Sequence, residues 1–313
     1  MPPIVTIIIL AVIIFGIAPM VLLSFILYSV LMVRNKPEKW GRECSAPEDP
    51  VMVRMFEDGV AWGKAHADVK RDVEIENDGF KLVGEYYDFG FDKAVIILPG
   101  RTESLLYSLY FAEPYRKCGR NVLVIDQRSH GLSEGTFNSV GLVEYRDTLK
   151  WAELLHDKLG NREIFIHGIC IGSSNALNAL TSAGCPDYIN GMAAEGMYIN
   201  FCETFGNHMK DMNKPTFPLL YGVMAIISLR AHAGVISNGP LKRIEKLKKP
   251  ILFLHSREDI YSLPEKSSAI FEKCTAKKRV VWFDHGGHSR VRQAEQEKYD
   301  ASIADFLRDF IDC

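Results

Sequence analysis

Cys170 lies between two glycines in Gly168-Ile169-Cys170-Ile171-Gly172. Glycines on either side of a reactive side chain suit a sharp, strained turn, where bulkier neighbours would clash. A thiolate held there can attack a carbonyl carbon if an imidazole shares its proton and a carboxylate orients that imidazole. Both partner types occur further along. Glu258 and Asp259 follow Pro250-Ile251-Leu252-Phe253-Leu254-His255, and His285 and His288 follow Arg279-Val280-Val281-Trp282-Phe283. The order is cysteine, acid, histidine, and each member comes just after an apolar run.

Those runs are the elements that must position the chemistry. Glu163-Ile164-Phe165-Ile166-His167 predicts a strand entering the Cys170 turn, and Ser173 to Leu180 predicts the helix leaving it. Val69 to Ile75 and Lys81 to Asp88 alternate as strands around the turn signal Asn77-Asp78-Gly79. Further strands are expected at 94–98, 121–126 and Ile189 to Glu195, with helices at about 103–117 and 140–159. Alternation of strand and helix from residue 94 onward implies a mostly parallel sheet covered on both faces. Residues 197 to about 244 break the alternation. They carry Phe201, Phe205, Met209, Met212 and the apolar run from Pro215 to Ile227, which predicts a small helical cap able to line an apolar acyl pocket.

With these stretches in view, the chain from roughly residue 70 to 313 resembles the α/β-hydrolase superfamily in a cysteine-nucleophile form. Val95-Ile96-Ile97-Leu98-Pro99-Gly100-Arg101-Thr102 looks like the family's strand and oxyanion loop, with Pro99 where histidine is usual. Val122 to Ser133 is similar to the Asp-x-Arg-Gly-His-Gly-x-Ser segment, with Ser129 replacing glycine. The resemblance implies an α/β fold with a catalytic domain over 69–313 and roles for particular residues. Cys170 would be the nucleophile. Asp259, four residues after His255, would be the acid in preference to Glu258, and His288, which opens a helical stretch, the base in preference to His285. The backbone N–H groups of Arg101 and Ile171 would form the oxyanion hole. It also implies that Asp126, Arg128 and His130 are structural, and His167 reads as a packed histidine. Dienelactone hydrolases resemble this cysteine arrangement, as do acyltransferases that carry an acyl group on a cysteine. Hydrolysis of an ester, thioester or lactone is therefore expected first, acyl transfer second, and a catalytically silent binding protein third.

The N-terminus is a separate signal. Residues 1–33 hold no charged side chain and Ile4 to Val33 is almost wholly apolar, beyond the roughly 20 residues that span a bilayer. No positive charge precedes the run, as a cleavable signal peptide would require. Arg34, Lys36, Lys39 and Arg42 follow it directly, predicting a single-pass anchor in the cell membrane with the catalytic domain in the cytoplasm. Gly16 and Pro19 allow a kink or a tight hairpin, and residues 34–68 read as a helical connector. Across the 313 residues a net charge of −2 gives no reason to expect nucleic acid. The seven cysteines are scattered without metal-ligand spacing, which fits a reducing compartment. No metal or organic cofactor is expected. The partners expected are a small, apolar acyl substrate and, through residues 4–33, the lipid bilayer.

Overall fold

The structure, a computed structural model, describes residues 3–312 except the Ile9 side chain; Met1, Pro2 and Cys313 lie outside the described residues. Its centre is an eight-stranded sheet in the order β1-β2-β4-β3-β5-β6-β7-β8. The strands are β1 (Lys70–Asn77), β2 (Phe80–Tyr87), β3 (Lys93–Leu98), β4 (Asn121–Ile125), β5 (Glu163–Ile169), β6 (Ile189–Glu195), β7 (Ile251–Ser256) and β8 (Lys278–Phe283). β1 and β2 form an antiparallel hairpin, and β2 lies antiparallel on β4. From β4 to β8 every pairing is parallel.

The apolar runs read as buried on both faces, and the packing shows why. Ile96, Leu98, Ile164 and Ile166 point into one core with Trp151 and Leu177. Their neighbours in sequence, Val95, Ile97 and Phe165, point into the other with Leu109, Tyr299 and Phe306. A strand with period-two side chains can be apolar throughout only if both faces are covered, as helices do here.

Several expected helices are shorter than their apolar patterns. The stretch at 103–117 divides into Leu105–Ser108, a tighter turn at Leu109–Phe111, and Glu113–Lys117. The helix expected from 140 starts at Tyr145, because Val140 and Gly141 both have positive φ, of 56° and 90°. The connector differs more. Only Pro50–Ala65 is helical, whereas residues 34–49, with Pro37, Gly41 and Pro47, follow an irregular path. Asp49 caps the helix start, accepting from the Val51 amide at 3.0 Å and the Met52 amide at 3.4 Å.

Pro3–Met32 is one helix of 30 residues, with an 18-residue stretch of mean hydropathy 3.0, long and apolar enough to cross a membrane. There is no hairpin at Gly16. Instead the helix widens into a single π-turn over Ile13–Ile17, ahead of Pro19, whose ring nitrogen cannot donate. The first two thirds of this helix stand clear of the domain. Ser24, Tyr28 and Met32 are buried on one stripe against a second apolar helix, Leu219–Ala231.

Candidate active site

β5 ends at Ile169, and Cys170 turns the chain into the helix Ile171–Leu180 with φ 53° and ψ −111°. Such a conformation costs about 1–3 kcal/mol and persists only when its surroundings enforce it. Three contacts do so. The Cys170 amide donates to the Glu195 carbonyl at 2.9 Å. Ser173 Oγ donates to the Gly168 carbonyl at 2.6 Å and to the Glu195 carbonyl at 3.0 Å. The glycines allow the approach: a Cβ on Gly168 would lie 2.3 Å from the Gly172 carbonyl carbon, and one on Gly172 would lie 2.3 Å from the Leu98 carbonyl oxygen. Gly172→Ala should therefore force β3 and the elbow helix apart at a cost of about 3 kcal/mol. Thermal unfolding followed by circular dichroism should show a lowered Tm; an unchanged Tm would mean that this close packing does not exist.

The loops after β7 and β8 bring the acid and the histidine together. His288 Nδ1 and Asp259 Oδ2 are 2.7 Å apart, with side chains 9% and 1% exposed. The other Asp259 oxygen accepts from the Tyr261 amide at 2.9 Å and the Ser262 amide at 2.7 Å, which fixes the carboxylate. Burial opposes ionisation of Asp259, but the adjoining His288 and the Ser262 amide outweigh it and hold the carboxyl below its usual range. Burial likewise disfavours the His288 imidazolium, yet the Asp259 carboxylate and the Cys170 sulfur raise its pKa well above the ordinary value. His288 and Cys170 line one cavity of about 250 Å³. Nε2 of His288 makes no hydrogen bond of standard geometry, to Cys170 or to any other described residue. Gly196, at φ 60°, leaves room for the imidazole: a Cβ there would lie 3.1 Å from His288 Cε1. The alternative pair is elsewhere. His285 and Glu258 stand 3.7 Å apart in solvent, 75% and 56% exposed.

The loop after β3 carries Gly100 and Arg101 along the same cavity. The amides of Arg101 and Ile171 make no hydrogen bond to a protein acceptor among the described residues, so both donors are free. Asp126 and His130 support this loop from behind, while Arg128 is held elsewhere. Asp126 accepts from the Leu105 and Leu132 amides, each at 2.9 Å, and Arg128 pairs with Asp147. One nitrogen of the His130 ring meets the Arg101 carbonyl, and the ring stacks on Trp40 at 4.8 Å. Ser129, where the resemblance leads one to expect glycine, has φ 70°. His167 is packed beneath the sheet, its Nε2 3.1 Å from the Tyr299 hydroxyl; burial and the charge of Arg292 push its pKa down to about 3.

Thr204 and His208 were not legible as site residues, whereas Phe201 and Phe205 belong to the cap read as able to line an acyl pocket. The helix Phe201–Asp211 turns Phe201, Thr204, Phe205 and His208 into the cavity, on one face at a spacing of three to four residues. His208 stacks on Tyr261 at 3.5 Å and stands edge-on to His288 at 6.2 Å. Burial and the neighbouring charges of His288 and Arg101 push its pKa down to about 3, so it is neutral near pH 7. The Arg101 side chain also matters. Its guanidinium donates to the Leu31 carbonyl at 3.1 Å, at the end of the N-terminal helix, and lies 5.4 Å from the Phe205 ring centre. Among the described residues no cluster of three or more His, Cys, Asp or Glu side chains could hold a metal ion.

Sheet order, elbow and loop positions define a known class, and comparison with other proteins agrees. Residues 93–224 match the family model described as alpha/beta hydrolase fold. The uncharacterized protein YqkD of Bacillus subtilis is 30% identical over 215 residues, 68% of this chain and 70% of that protein. Protein bem46 of Schizosaccharomyces pombe is 29% identical over 195 residues, 62% of this chain and 59% of its own length. The solved structure of the Pyrococcus furiosus esterase Pf2001 superposes with a TM-score of 0.66 at 26% identity, covering 80% of this chain and 94% of that one. The chain belongs to the α/β-hydrolase family.

Proposed function

We propose that this protein is a membrane-anchored hydrolase that cleaves a carboxylic ester, thioester or lactone through Cys170, His288 and Asp259. The observation that carries the reading is the buried 2.7 Å contact between His288 Nδ1 and Asp259 Oδ2 beside the strained Cys170 elbow. In this reading the Cys170 sulfur attacks the substrate carbonyl carbon and its proton passes to His288 Nε2. The tetrahedral oxyanion accepts hydrogen bonds from the Arg101 and Ile171 amides. As the carbonyl re-forms, the bond to the leaving alcohol or thiol breaks and His288 returns the proton to it, leaving a thioester on Cys170. Water then attacks that thioester with His288 as base, releasing the acid and restoring the thiol. Asp259 keeps the imidazole in the required tautomer and stabilises its cationic form.

The cavity, about 250 Å³ with Phe201, Phe205 and Met52 in its lining, suits a small apolar acyl group. The esterase named in the comparison with Pf2001 supports ester chemistry. Pro3–Met32 acts as the anchor, and the cations that follow it keep the catalytic domain on the cytoplasmic side.

The test uses the full chain in detergent or nanodiscs, since removing residues 1–33 would strip Tyr28 and Met32 from the packed domain. A panel of p-nitrophenyl esters, acyl thioesters and lactones should give turnover and, at short times, a mass adduct of one acyl group on Cys170. An adduct that accumulates and clears only when an amine or alcohol acceptor is added would replace hydrolysis by acyl transfer. Absence of both adduct and turnover would sink the catalytic reading. Protease added to intact cells should leave the domain untouched; its digestion there would reverse the orientation.

A further inference from the structure

We infer that the helix Leu219–Ala231 is an interfacial membrane helix, which seats the roof of the active site on the bilayer beside the anchor. The inference rests on the anchor reading and concerns a different surface. A helix of 30 residues is about 45 Å long, whereas the hydrocarbon core is about 30 Å thick. Roughly ten residues therefore remain outside the core. The last ten, residues 23–32, are those that pack on the domain, with Ser24, Tyr28 and Met32 buried.

Their partner is Leu219–Ala231. Gly222 lies against Ser24 so closely that a Cβ on it would be 2.1 Å from Ser24 Oγ, a small-residue contact of the kind that brings membrane helices together. Eight residues later Arg230 donates to the Tyr28 hydroxyl at 2.7 Å. The two helices thus run side by side from the point where the anchor leaves the lipid. On its inner face Leu219–Ala231 buries Leu220, Val223, Met224 and Ile227 in the cluster that also holds Phe201 and Phe205. Its outer stripe is apolar too. Phe217 just before it, Tyr221 and Leu229 are 77%, 55% and 75% exposed, with Ala225 between them.

Beside the contact of Ser24 with Gly222, the anchor exposes Val21, Leu22, Phe25 and Ile26. Exposed cations stand near both ends of the stripe, Lys214 and Arg230. An apolar stripe flanked by cations and fastened alongside a spanning helix fits the boundary between headgroups and acyl chains. A water-facing stripe of this composition would instead be a large exposed patch.

Full-length protein carrying the photoreactive residue p-benzoylphenylalanine at one position would be reconstituted in nanodiscs of phosphatidylcholine and phosphatidylglycerol. Phe15, 81% exposed on the anchor, serves as the positive control and exposed Lys277 as the negative one. Illumination should give lipid adducts by mass spectrometry at positions 15, 221 and 229, and at least roughly tenfold less at 277. Adducts at 15 but at neither 221 nor 229 would overturn the interfacial helix and leave the anchor intact. Cross-links from 221 or 229 to a second copy of the chain, in place of lipid, would overturn it as well. Loss of adducts at 15 would remove the anchor reading and this inference with it.

Discussion

Replacing Cys170 by alanine is expected to lower turnover by about 10⁴-fold or more on every substrate the native protein hydrolyses, because no other group at the elbow can form the acyl-enzyme. Folding should be unaffected, since the side chain is small and lines the cavity. The serine variant is more informative. A hydroxyl stays protonated near pH 7 and depends wholly on His288 as base, yet its ester intermediate can still be hydrolysed. Cys170→Ser should therefore keep weak activity on activated esters and lose labelling by iodoacetamide. The checks are steady-state rates and intact-protein mass on both variants. Full activity in Cys170→Ala would remove Cys170 from the mechanism.

The second large effect is expected from Asp259→Asn. Asparagine preserves the size of the side chain but removes the charge that holds the His288 pKa well above its ordinary value. Turnover should fall by roughly 10³–10⁴-fold, as the imidazole loses both its orientation and the stabilisation of its cationic form. The sign of the pH effect follows from the same contact. In the native protein His288 stays protonated to a higher pH than a free imidazole. Asp259→Asn should let His288 deprotonate at lower pH, so the acid limb of the residual rate against pH should move to lower pH.

Stability follows the same linkage. A raised histidine pKa stabilises the fold fully below the unfolded value and loses that contribution as pH rises through the folded one. The depressed Asp259 pKa stabilises it above the unfolded carboxyl value, a contribution lost on acidification through the folded pKa. The native protein should thus exceed Asp259→Asn in Tm most clearly at mildly acidic pH, between the two losses. Identical pH–rate profiles in native and variant protein would show that Asp259 does not govern the histidine.

Much of the architecture was legible because β3, β5 and β7 are too continuously apolar to be anything but strands covered on both faces. The Gly168 and Gly172 pair was legible for a related reason, since only glycine tolerates backbone approaches of 2.3 Å. Helix boundaries were less legible. The start at Tyr145 depends on two positive-φ residues before it, and the irregular first part of the connector, residues 34–49, holds Pro37 and Pro47.

For the site, sequence alone determined the residue types and their order: one cysteine between glycines, then neighbouring acids, then neighbouring histidines. It left Glu258 against Asp259 and His285 against His288 unsettled on local grounds, because adjacent loop residues share the same short-range pattern. The family resemblance favours Asp259 and His288, and the tertiary structure buries these two in contact and leaves Glu258 and His285 in solvent. The tertiary structure alone also brings His208 and the Arg101 guanidinium to the cavity, and lays the end of the N-terminal helix against the roof. The physical reason is distance along the chain. Turn geometry and apolar periodicity act over a few residues, whereas the contacts between Arg101 and Leu31, Arg230 and Tyr28, or His288 and Asp259 form only after the sheet has set the strand ends side by side.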